Sequence, residues 1–76
     1  MGSVKHYPPE GFTERLYESV IKSGLEITKI SRTTGIPRTS LYAYVFDGVV
    51  PNITVLAKMC KLLGVSADYL LFGKEV

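Results

Sequence analysis

"TTGIPRTSLYAYV", residues 33–45, decides the fold. Apolar residues at helical spacing precede it and stop at Gly35. Beyond Arg38-Thr39-Ser40 the spacing resumes with Leu41, Tyr44 and Val45. Pro37 makes the corner between them. Its ring pushes Ile36 out of the helical region, while its own fixed φ suits a first helical turn, so a new helix is predicted to start at Pro37 or Arg38. Counted at ~100° per residue, Leu41, Tyr44 and Val45 share an inner side. Thr39, Ala43 and Phe46 fall on the opposite, displayed side, with Arg38 and Tyr42 on the flanks.

Working outward, Phe12, Leu16, Val20 and Ile21 mark a first helix, closed by Gly24 in the left-handed stop position. Ile27, Ile30 and Ser31 form the stripe of a second helix, from which Lys29, Arg32 and Thr33 point away. After the corner helix, Asp47-Gly48-Val49-Val50-Pro51 reads as a loop. Asn52 is an N-cap for a fourth helix with inner positions Leu56, Met59, Cys60 and Leu63, ended by Gly64. Ser66 caps a short fifth helix over 67–71, and Gly73 ends the domain. Pro8-Pro9 and Gly11 make residues 1–11 an extended arm, with 1–3 read as a tag remnant and 74–76 as a tail. The pattern predicts an all-α domain of five short helices over 12–73, without strands or repeats. Its expected core is Leu16, Val20, Ile30, Leu41, Tyr44, Leu56, Cys60, Leu63 and Leu70.

Composition narrows the function. Seventy-six residues make one small domain, which buries about 60% of the surface its unfolded chain exposes. One cysteine excludes an internal disulfide, and with His6 as the single histidine there is no Cys/His cluster for zinc. The chain suits a reducing cytoplasm. No apolar run approaches the ~18 residues of a membrane span, and the polar, proline-broken start is not a signal peptide. No paired carboxylates or nucleophile–base set is visible, so neither an enzyme nor a cofactor is expected. The net charge of +2 does not itself argue for nucleic acid.

Two short helices joined by a glycine-containing turn form a helix-turn-helix. From Phe12 to Gly73 the chain resembles the Cro/phage-repressor type of DNA-binding domain, the XRE family, with its lambda-repressor-like fold. Gly24-Leu25 resembles the Gly-Leu before that family's second helix, and Gly35-Ile36 its Gly-Val. Leu41 and Tyr44 take the two buried positions of its recognition helix. "PNITVLAKMCKLLGVSADYLLFG", Pro51 to Gly73, follows its fourth and fifth helices almost position by position. The departures are specific. Ile27 stands where the family commonly has a phosphate-gripping Gln. The glycine after the recognition helix comes one residue late, at Gly48, and Val49-Val50 replaces a basic loop.

The resemblance implies a repressor-like regulator of transcription that binds double-stranded DNA as a homodimer, with the helix at about 38–46 in the major groove. Arg38 at its start is placed to hold guanine O6 and N7 with two bonds. Thr39 and Tyr42 are the next base-contact candidates, and Ala43 permits close approach to a thymine methyl. Lys29, Arg32, Ser40 and Asn52 are candidates for phosphate. Leu62, Leu71 and Phe72 are the expected dimer surface. The apolar "VFDGVV", residues 45–50, supports a different class of function: a protein-interaction module, antirepressor or adaptor, on the same scaffold.

Overall fold

A computed structural model describes residues 9–74. Most of the expected N-terminal arm, and residues 75–76 of the tail, lie outside the described residues. Five helices follow one another: α1 (Phe12–Ser23), α2 (Ile27–Thr34), α3 (Arg38–Phe46), α4 (Ile53–Leu63) and α5 (Ala67–Phe72). No strand occurs among the described residues. The fold is all-α, as the residue pattern predicts.

Local chemistry sets the helix ends. Gly24, Gly35, Gly64 and Gly73 each take a left-handed conformation just past α1, α2, α4 and α5. Asn52 Oδ1 accepts the Val55 N–H at 2.9 Å, and Ser66 Oγ accepts that of Tyr69 at 3.0 Å, so α4 and α5 have the side-chain caps expected of them. α5 runs one residue beyond its predicted end, through Phe72. Pro37 lies one step earlier than a first-turn proline: it is extended (φ −58°, ψ 144°), and α3 begins at Arg38.

The core sits where α1 packs on α3, α4 and α5, and α2 on α3 and α4. Phe12, Leu16, Val20, Ile30, Ile36, Leu41, Val45, Met59 and Leu70 are buried in it. Tyr44, Leu56, Cys60 and Leu63, expected inside, are only partly buried and pack around its margin. The shift is one of helical phase. On α4 the buried line passes through Met59, leaving Leu56, Cys60 and Leu63 on its shoulders. On α3 it passes through Leu41 and Val45, with Tyr44 beside them. Ile21 departs furthest, at 61% exposed. It lies about 140° round the helix from Leu16, off the line of Phe12, Leu16 and Val20.

Arg15 joins the segment before α1 to α5. Its Nε donates to the Leu70 carbonyl and its Nη2 to the Glu10 carbonyl, both at 3.0 Å. The start of α1 is thereby tied to α5 by hydrogen bonds from a single guanidinium, a planar fork suited to two acceptors.

Candidate nucleic-acid interface

The α2–α3 corner is built from hydrogen bonds that leave little freedom. Gly35 has φ 78°, a left-handed conformation that a side chain disfavours, and its N–H returns to the Ser31 carbonyl at 2.8 Å. The Ser31 hydroxyl donates to the Ile36 carbonyl at 2.6 Å. Thr34 Oγ1 donates to the Ile30 carbonyl at 2.7 Å and accepts the Ile36 N–H at 3.2 Å. The backbone of Ile36 is thus held on both sides while its side chain is 4% exposed between the two helices. From α4, Lys58 Nζ donates to the Thr34 carbonyl at 3.2 Å and braces the end of α2. No buried side-chain nitrogen or oxygen among the described residues lacks a partner. α3 therefore leaves α2 in a fixed direction.

That direction decides what α3 shows. Leu41 and Val45 anchor its inner side, and Arg38, Thr39, Tyr42 and Phe46 are exposed. Ser40 and Ala43 are half-buried, so Ala43 is less open than its place on the displayed side suggests. Lys29 and Arg32 are exposed on α2, the helix that precedes the corner. Among the described residues, the side-chain hydrogen bonds that hold the fold use Arg15 and Lys58, and none of them uses Lys29, Arg32 or Arg38. All three side chains are exposed. Asn52 is exposed with its oxygen engaged in capping, which leaves its amide NH2 to donate outward.

The electrostatics of the helix starts are uneven. Neither α2 nor α3 has an acidic residue in its first turn, and α3 has no side-chain cap. Arg38 adds a full positive charge to the partial positive charge of an uncapped N-terminus, a combination unfavourable for the helix and favourable for an anion or a guanine acceptor edge. At the start of α2 the exposed Glu26 carboxylate stands at the N-cap without bonding to it. Its negative charge offsets the partial positive charge of this helix end.

Past α3 the surface becomes apolar. The Ala43 carbonyl accepts the N–H groups of both Asp47 and Val49 at 3.1 Å, and Gly48 makes the turn between them with φ 75°. Phe46, Val49 and Val50 are 53%, 48% and 40% exposed, the patch expected from "VFDGVV". Val45, at its start, is buried instead. Two aromatic contacts give the patch an unforeseen extent: Tyr42 stacks on Phe46, and Tyr17 from α1 meets Phe46 edge-on. Of the residues expected to pair two copies, Phe72 is 63% exposed, whereas Leu62 and Leu71 are half-buried against the core.

Cys60 is half-buried, and desolvation raises its thiol pKa above the ordinary value, which disfavours the reactive thiolate. Among the described residues no three of His, Cys, Asp or Glu gather to hold a metal. Among the described residues no helix is long and apolar enough to cross a membrane.

No curated protein matches the chain significantly. The family model described as helix-turn-helix matches residues 16–70, from within α1 to within α5 and across the whole α2–α3 corner. Its members are DNA-binding regulators of transcription. With that match spanning most of the chain and the five-helix fold beneath it, the chain belongs to the XRE-type helix-turn-helix family.

Proposed function

We propose that the protein is a sequence-specific, repressor-like regulator of transcription that reads double-stranded DNA with α3 in the major groove. One observation carries the reading: a braced corner aims the exposed Arg38, Thr39 and Tyr42 outward, with Lys29 and Arg32 exposed on the adjoining helix. Arg38 holds a guanine edge, Thr39 and Tyr42 contact neighbouring bases, and Ala43 lines the closest approach. Lys29, Arg32, Ser40 and the Asn52 amide hold phosphates and set the register. One recognition helix spans few base pairs, so useful affinity requires two copies on a two-fold site. Phe72, together with Leu62 and Leu71, supplies the apolar contact between them. A regulator of this kind works in the cytoplasm, beside the DNA it reads.

Selection of bound duplexes from a random pool tests this reading. It expects a two-fold-symmetric consensus that Arg38→Ala degrades at one position in each half. Recovery of no consensus at low salt contradicts it.

The exposure of Phe46, Val49 and Val50 favours a second reading, in which the scaffold captures a protein as an antirepressor or adaptor. On that reading Phe46→Ser abolishes capture, and substitution of Arg38 or Lys29 has no effect.

A further inference from the structure

We propose that the exposed ring of Phe46, stacked with Tyr42, reads the 5-methyl group of thymine, which makes Phe46 a specificity-determining residue. The inference rests on α3 entering the major groove. At ~100° per residue, Thr39, Tyr42 and Phe46 fall within about 60° of arc on α3. They form one exposed strip along the helix, turned about 110° from the line of Leu41 and Val45. The Tyr42 and Phe46 rings lie 5.9 Å apart between centroids at 27°, and the Tyr17 ring meets Phe46 at 5.7 Å and 68°. Tyr42 is nonetheless 47% exposed and Phe46 53%. These rings are held in place without being covered.

The chemistry of the strip selects what it can touch. Beyond Thr39 the strip's one hydrogen-bonding group is the Tyr42 hydroxyl, and it carries no amide or carboxylate to read adenine or cytosine. The major-groove edges of the four base pairs carry one apolar feature, the thymine C5 methyl, and a phenyl face is a suitable partner for it. Phosphate is a poor alternative at this end of α3, because the helix C-terminus is partially negative and the exposed Asp47 carboxylate follows directly. The contact of Phe46 with Tyr17 and Tyr42 also means that its ring is already ordered before DNA arrives, so little rotamer entropy is lost on binding.

The test replaces each thymine of a selected duplex, one at a time, by deoxyuridine, which differs only in lacking the methyl group. Binding is measured for the wild type, Phe46→Ala and Phe46→Leu. Phe46 is exposed, so the substitutions leave the core intact. Wild type is expected to lose about fourfold at one or two thymines in each half-site, the worth of one buried methyl-sized group. Phe46→Ala should show no loss at those same positions, and Phe46→Leu a reduced one. Equal losses in wild type and Phe46→Ala, or a flat profile in both, overturn the inference while groove reading stands. Failure to select any duplex removes the groove reading and this inference together.

Discussion

The Ser31 hydroxyl reaches across the corner to the Ile36 carbonyl at 2.6 Å and ties the last turn of α2 to the residue that begins the descent into α3. A recognition helix is useful only if its direction is set before it meets DNA. This bond, with the two made by Thr34, sets it. Ser31→Ala should cost about 1 kcal/mol, the usual loss for a partly buried hydrogen bond. It should also weaken DNA binding, because part of the binding energy is spent on ordering α3. Urea unfolding and duplex titration of one preparation check both, and an unchanged midpoint with unchanged affinity contradicts the role.

Arg15 is a separate case, because its partners are the carbonyls of Glu10 and Leu70 and not a carboxylate. Arg15→Ala should destabilise by about 1.5–3 kcal/mol, as expected for one charge-assisted bond in a partly buried place, with the exposed bond to Glu10 adding little. Lysine should restore only part of that, since one ammonium does not reproduce the fork geometry. Chemical denaturation of the two variants decides, and full recovery with lysine contradicts the fork.

Much of the fold is legible in the residues because its punctuation is local. Gly35 and Gly24 end helices for a reason internal to each residue, and Asn52 and Ser66 cap helices by bonding three positions ahead. The Arg15 contact has no such signature: Leu70 lies 55 residues away and offers only a backbone carbonyl. The Tyr17–Phe46 contact is hidden for the same reason, since it arises only once α1 packs across α3. Helical phase is intermediate. Spacing alone marks Leu56, Met59, Cys60 and Leu63 as one face, and only the packing of α4 shows that Met59 is its centre. The exposed position of Thr39 follows from counting, whereas Arg38 and Tyr42 count only to the flanks; which of the three touches a base does not follow, because that depends on the DNA.

That difference in phase is measurable. Met59 is 1% exposed, so Met59→Ala should cost about 2–5 kcal/mol. Leu56, half-buried at the margin, should cost about 1–2 kcal/mol when truncated to Ala. Thermal or urea unfolding gives the order directly, and the reverse order contradicts the core described above.

Arg38 sits where the α3 dipole disfavours it, a local cost consistent with retention for binding. Arg38→Glu should stabilise the domain by ~0.3–1 kcal/mol, because a carboxylate suits a helix N-terminus. The same change should abolish duplex binding by placing a negative charge at the groove. A variant that is more stable and inactive is the expected result; one that is less stable and inactive would trace the loss to misfolding.

The central claim, that α3 reads bases, is tested most directly by titrating wild type, Arg38→Ala and Lys29→Ala against the selected duplex and single-base variants of it at two salt concentrations. Arg38→Ala should lose about 1–3 kcal/mol on the preferred site and discriminate less at one base pair. Lys29→Ala should weaken every duplex alike and lower the salt slope by about one counterion, because a phosphate is the same at every position and a base edge is not. If Arg38→Ala weakens all duplexes equally and leaves discrimination intact, Arg38 is only another phosphate contact and the account of α3 is contradicted.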